Sequence, residues 1–210
     1  MTAAAAVLLA LTLVAAVIDW IAVRHRHQAM VLVFKPLTLV LLTATALALD
    51  PDDPTVRTWF VVALVMSLAG DIFLMLPGDL FVPGLGSFLL AHVAYVVGLL
   101  VAGVEPVGIG VGLVVVASAL RFVGRRVISG AARSEPALRV PVLAYMVVIS
   151  AMLVCAFGTL MPLAVGGAAL FYASDALIGW GRFVEAREGG DLAVMVTYHL
   201  GQVLLVLSLV

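Results

Sequence analysis

The feature that most limits this chain is a succession of eight apolar runs, separated by charged or Pro/Gly-rich breaks. They cover 3–23, 30–49, 57–76, 85–103, 106–122, 139–157, 160–182 and 191–210. The breaks are Arg24 to His27, Asp50 to Pro54, Pro77 to Pro83, Glu105-Pro106, a longer polar stretch from Gly124 to Arg139, Gly158 to Pro162, and Arg182 to Asp191. At about 20 residues per bilayer crossing, eight helices use about 160 residues and leave about 50 for ends and loops. Only 11% of the 210 residues are charged and 65% are hydrophobic, against about a quarter charged in a soluble domain. The expected fold is an all-α integral membrane protein of eight transmembrane helices in one domain, 1–210. Runs this long and this uniformly apolar do not suit barrel strands. The first run has small residues like those of a signal peptide, but no Lys or Arg precedes Arg24, so it is read as a crossing.

The net charge of −1 excludes the dense basic array that nucleic-acid phosphates require. The single cysteine, Cys155, excludes an internal disulfide and a multi-Cys metal site.

Positive charge sets an expected orientation. Arg24, Arg26, Arg125, Arg126, Arg133, Arg139, Arg182 and Arg187 fall in the odd-numbered loops, with Lys35 and Arg121 just inside helices at the same face. Arg57 stands alone on the other face, beside Asp50, Asp52 and Asp53. This places the odd-numbered loops in the cytoplasm, both termini outside, and the protein in the inner (plasma) membrane. Trp20 and Trp180 then mark the inner interface and Trp59 the outer one. A faint duplication at an offset of 104 to 105 residues aligns Lys35-Pro36 with Val140-Pro141 and Gly70-Asp71-Ile72 with Ser174-Asp175-Ala176. Parallel repeat halves 1–105 and 106–210 are therefore an expectation.

A charge at the centre of a bilayer costs about 2.5 to 3.5 kcal/mol on insertion scales, so each one calls for a reason. The candidates are Asp19, Lys35, Asp71, His92, Asp175 and His199, with Tyr95, Tyr145, Tyr172, Ser174, Tyr198 and Gln202 as potential partners. At about 1.5 Å per residue, Asp71 lies roughly 8 Å from its helix end and Asp175 roughly 10 Å from Arg182. All of these groups fall in the half of the membrane assigned to the cytoplasm. A transport path needs polar lining across the midplane, whereas a pocket for a lipid head group needs polarity at one depth only.

Each residue also has a structural alternative. Asp19 and Lys35 suit an ion pair between the first two helices, and Arg121 and Arg182 suit interface anchors. The tyrosines suit the aromatic belt, and His92 and His199 suit neutral packing donors. Asp71 and Asp175 resist such readings, because neither has a basic residue within one helical turn. Gly108, Gly110, Gly112 and Gly166-Gly167 read as close-packing surfaces. No phosphate loop, Gly-x-Ser-x-Gly or His-Glu-x-x-His motif is present.

Two carboxyl groups facing each other in a low dielectric do not both ionise readily, which leaves a proton donor beside an anion. That pairing suits reactions through oxocarbenium-like cations, where one acid protonates the substrate and the other carboxylate stabilises the cation or directs water. A zinc site from His92, His199 and the two aspartates is the metal alternative.

These residues carry a resemblance. Gly70-Asp71-Ile72-Phe73-Leu74, then Phe81, Gly84-Leu85, Phe88, His92 and Tyr95, resemble the YhhN family of lysoplasmalogenases. Lys35-Pro36, Tyr172-x-Ser174-Asp175-x-Leu177-Ile178 with Arg182-Phe183, and Tyr198 with Gln202 extend it in order over most of the chain, while His199 directly after Tyr198 departs from the pattern. The resemblance implies a membrane hydrolase that cleaves the vinyl ether of a lysoplasmalogen, releasing a fatty aldehyde and a glycerophospho-base. It implies Asp71 and Asp175 as catalytic, with His92, Tyr95, Ser174, Tyr198, His199 and Gln202 supporting, and Lys35 and Arg182 holding the substrate phosphate. Lysophospholipid and membrane lipid are then the partners, and with water as co-substrate no cofactor or metal is expected. Two rival readings are a small transporter using the aspartates as proton or cation sites, and a catalytically silent lipid-binding protein.

Overall fold

In a computed structural model, the structure describes every residue except Asp79, Arg187 and Glu188. Arg187, counted above among the basic residues of one face, lies outside the described residues. The helices are α1 (Ala3–Arg24), α2 (Gln28–Ala48), α3 (Pro54–Met75), α4 (Phe81–Ala102), α5 (Pro106–Ala119), α6 (Arg125–Ser134), α7 (Arg139–Gly158), α8 (Pro162–Phe183) and α9 (Gly190–Leu207). A π-helical turn, Leu120–Gly124, joins α5 to α6, so the fifth crossing is one run, Pro106–Ser134. With α5 and α6 taken together, eight described helices are long and apolar enough to cross a membrane.

Local chemistry explains most helix ends. Thr2 caps α1 by accepting from the Ala5 N–H at 3.0 Å, and its hydroxyl donates to the Ala48 carbonyl at the end of α2. Asp53 caps α3 by accepting from the Thr55 N–H at 2.7 Å, and that bond holds its carboxyl below the ordinary carboxylate range. Pro54, Pro106 and Pro162 each open a helix, where the missing N–H would lack an intrahelical partner in any case.

Two expectations need correction. The fourth helix begins at Phe81 rather than 85, because Pro83 fits a first turn and does not break it. The polar stretch Gly124 to Arg139, read as a loop, is mostly helix. Val127, Gly130 and Ala131 form the buried face of α6, while Arg125, Arg126 and Arg133 stay exposed. Its polarity is that of one side of an amphipathic helix.

Packing closes a ring in the order α1, α2, α3, α4, α7, α8, α9 and back to α1, with α5 outside it against α7. The tightest neighbours are the sequential pairs α1/α2, α3/α4 and α8/α9. A Cβ on Gly108 would stand 2.2 Å from the Phe157 carbonyl oxygen, and one on Gly112 would stand 2.9 Å from the Val154 Cα, so α5 can dock on α7 only through glycine. Gly110, by contrast, faces open space. Large apolar side chains such as Leu11, Val33, Val114 and Val147 remain exposed around the outside, as a lipid-facing surface requires.

Candidate active site

Asp71 is 1% exposed near the end of α3. The Lys35 ammonium from α2 stands 3.0 Å from its Oδ1, and the Tyr198 hydroxyl from α9 donates to its Oδ2 at 2.8 Å. Both oxygens therefore have partners, and a charge unsupported along its own helix is answered from two others. Gln202 lies one turn beyond Tyr198 on the same face of α9 and accepts from the Tyr95 hydroxyl of α4. The residue before Asp71 is Gly70 because the Phe88 ring lies where its Cβ would be, at 2.6 Å.

Asp175 on α8 has a different setting. Its Oδ2 accepts from the Tyr145 hydroxyl of α7 and lies 3.6 Å from Nε2 of His92 on α4. The other ring nitrogen of His92, Nδ1, faces the Phe88 carbonyl one turn back. A carbonyl only accepts, so Nδ1 carries the hydrogen, and Nε2 is the nitrogen turned toward Asp175. The side chain of Asp175 remains 12% exposed.

Phe171 stands between the two clusters, one turn before Asp175. Its ring centroid lies 4.7 Å from His92, 5.3 Å from Tyr198, 6.3 Å from Phe88 and 6.4 Å from Tyr95. No hydrogen bond joins the two carboxyl groups, although each lies within electrostatic range of the other.

Access also differs. A cavity of about 760 Å³ opens at this end of the bundle, lined by Arg26, Lys35, Trp180, Arg182, Glu185 and Asp191 among others. Lys35 connects it to Asp71. Two smaller cavities, about 70 and 50 Å³, reach Asp175 from the side of α6, α7 and α8, the larger with Leu74, Phe81, Phe88 and Phe183 in its wall.

Several expected partners are placed elsewhere. Lys35 does not form an ion pair with Asp19, because its ammonium is committed to Asp71. Ser174 donates to the Val194 carbonyl and ties α8 to α9, so it does not orient a carboxyl. His199 accepts at Nδ1 from the Trp20 indole at 3.1 Å. Arg182 makes a bidentate contact with Glu135 at 3.0 and 2.9 Å and stacks 3.7 Å over the Phe81 ring, so a phosphate there would meet an already engaged guanidinium. Among the described residues no three His, Cys, Asp or Glu side chains converge as a metal-ligand set, so the zinc alternative finds no donor cluster.

Tyr145 was legible only as a potential partner, and its direct contact with Asp175 was not. Phe171 carried a usable signal, its four-residue spacing from Asp175, whereas Glu135 carried none.

A ring of helices long and apolar enough to cross a membrane, closed around buried, hydrogen-bonded carboxyl groups, defines a multi-pass membrane protein with an internal polar cluster. The YhhN family model matches residues 30–209, and the chain belongs to the YhhN family. It is 34% identical over 184 residues to a protein of Mycobacterium bovis named lysoplasmalogenase, covering 85% of this chain and 70% of that one. It is 33% identical over 151 residues to human lysoplasmalogenase TMEM86B, covering 70% of this chain and 61% of the human protein. No solved structure matches the chain.

Proposed function

We propose that this protein is a lysoplasmalogenase that hydrolyses the vinyl ether of a lysoplasmenyl-ethanolamine or -choline with Asp175 as the acid and Asp71 as a fixed anion. The observation that carries the division of roles is the difference in setting. Both Asp71 oxygens are held, by Lys35 and Tyr198, while Asp175 borders two small, mostly apolar cavities next to which the vinyl ether is placed in this reading.

In this reading Asp175 transfers its proton to the β-carbon of the vinyl ether, and the π electrons form the new C–H bond. The adjacent carbon and ether oxygen become an oxocarbenium ion, which the Asp175 and Asp71 carboxylates stabilise. Water adds to that carbon, and the proton it loses returns to Asp175, with His92 Nε2 3.6 Å away as a relay. In the resulting hemiacetal the hydroxyl loses its proton as C=O forms, the bond to the glycerol oxygen breaks, and that oxygen takes a proton from Asp175, releasing a fatty aldehyde and the glycerophospho-base and leaving Asp175 to be reprotonated by the proton lost from the hydroxyl. General acid catalysis of this kind supplies about 10²- to 10⁴-fold in rate. The phosphate binds in the 760 Å³ cavity near Lys35 and Arg182, which opens to the cytoplasm of the inner membrane, with both termini outside.

The test is aldehyde release from defined lysoplasmenyl-ethanolamine by the detergent-purified protein, with Asp71→Asn and Asp175→Asn in parallel. Aldehyde from the wild type and from neither variant is expected. Substantial turnover by both folded variants would overturn the assignment, and proton flux in liposomes without aldehyde would replace it with the transporter reading.

A further inference from the structure

The fifth crossing is longer than a bilayer needs. Pro106–Ser134 is one run of 29 residues, whereas about 20 residues span the hydrocarbon core. Its start lies level with the end of α7, because the Glu105 N–H donates to the Gly158 carbonyl at 2.8 Å. Counted from that shared level at about 1.5 Å per residue, Arg125 and Arg126 on the way out and Arg139 on the way back all stand at a height of about 29 Å. The hydrocarbon core is about 30 Å thick, so these three residues fall at the layer of the lipid phosphates. Arg121 stands one turn lower and reaches the same layer by extending its side chain, and Arg133 lies two turns further out. All five arginines are exposed. Among the described residues no carboxylate lies within ion-pair distance of any of them, and Glu135, at the end of α6, is committed to Arg182. Phe122, between Arg121 and Arg125, is 67% exposed. The opposite side of α6 is fixed. Val127 and Ala131 form a small core with Leu138, Val142 and Phe183, and a Cβ on Gly130 would stand 2.1 Å from the Phe183 carbonyl oxygen. The backbone of α6 therefore rests directly on the end of α8, and the Arg126 guanidinium lies 5.5 Å over the Trp180 ring.

We propose that Arg121, Arg125, Arg126 and Arg139 form a binding site for net-anionic phospholipids of the surrounding leaflet, with Phe122 against the acyl chains and Arg133 adding to the attraction. Depth and charge select this occupant. Side chains at the hydrocarbon edge meet lipid head groups first, and a guanidinium donates to phosphate oxygens in a bidentate geometry. A zwitterionic lipid would bring its own ammonium into a field of five uncompensated positive charges. A phospholipid whose head group carries no positive charge leaves its phosphate unopposed, and clusters of about four to eight basic residues beside a membrane helix are enough to select such lipids. Because α6 is packed on α8 and α7, the guanidinium groups are held at one height before lipid arrives, which lowers the ordering cost of binding.

The site does not depend on the hydrolase reading, and its test needs no turnover. The full-length protein is reconstituted in nanodiscs of equal parts phosphatidylcholine and phosphatidylglycerol, and the lipids it retains are counted by native mass spectrometry. The wild type is expected to retain phosphatidylglycerol over phosphatidylcholine by about fivefold or more. The variant carrying Arg125→Gln, Arg126→Gln and Arg139→Gln should fall to near parity, while Arg57→Gln, at the other end of the bundle, keeps the preference. Parity on the wild type, or a preference that survives in the triple variant, would overturn the proposal. If the triple variant does not fold, Arg125→Gln and Arg139→Gln decide singly: each should lower the preference in part, and an unchanged preference in both would overturn the site. Loss of the retained phosphatidylglycerol to added inorganic phosphate would assign the arginines to a free anion and overturn the lipid assignment.

Discussion

The Lys35 ammonium and the Asp71 carboxylate meet at 3.0 Å with both side chains nearly inaccessible, so an ion pair between α2 and α3 is built into the protein at the depth where lipid would penalise either charge alone. Removing one partner leaves the other uncompensated. Lys35→Met is expected to lower stability by about 3–5 kcal/mol. Combining it with Asp71→Leu is expected to restore much of that loss, and aldehyde release stays absent in both. Thermal unfolding in detergent beside the activity assay checks this, and a double variant no more stable than Lys35→Met would contradict it.

Tyr145 donates to the same Asp175 oxygen that faces His92. Tyr145→Phe keeps the ring against His92, whose centroid is 5.2 Å away, and removes only the hydroxyl. The expected result is a fall in kcat of about tenfold to a hundredfold, the rate equivalent of the roughly 1.5–3 kcal/mol in a hydrogen bond to a charged group. The melting temperature should change little, and steady-state kinetics on folded protein separates the two effects.

Glu135 holds Arg182 at the mouth of the large cavity, but their side chains are 38% and 26% exposed. Solvent screening limits such a pair to about 0–1 kcal/mol of stability. Glu135→Gln should therefore melt close to the wild type while removing one negative charge beside the guanidinium, with KM for the lysophospholipid falling about twofold or more, a differential-binding effect. A raised KM would show that Glu135 positions Arg182 and does not compete with the phosphate for it.

Gly108 and Gly110 are two residues apart and look alike in sequence, yet only the first abuts α7. Gly108→Ala drives a Cβ against the Phe157 carbonyl and is expected to cost about 1–3 kcal/mol. Gly110→Ala meets no neighbour and should be neutral or slightly stabilising through helix propensity. Equal losses in thermal stability would argue against the α5/α7 contact.

The membrane class, the all-helical fold and the crossings were legible from apolar run length, because a bilayer forces every spanning backbone to satisfy its own hydrogen bonds. Asp71, Asp175, His92 and Tyr198 stood out for a related reason, since polar groups inside such runs are costly wherever they point. Their pairing did not stand out. Helical periodicity tells which face a residue occupies and is silent about which helix will face it. Lys35 was therefore matched in sequence with Asp19, on the preceding helix, whereas its partner in the structure is Asp71. Ser174 sits beside Asp175 in sequence yet turns to the Val194 carbonyl, and His199 beside Tyr198 turns to Trp20. Those choices, and the unequal access of the two aspartates, arise only when the ring closes and α9 packs against α1, α2 and α3. Side-chain partners across helices depend on rotation and depth, which the run lengths leave open and close packing decides.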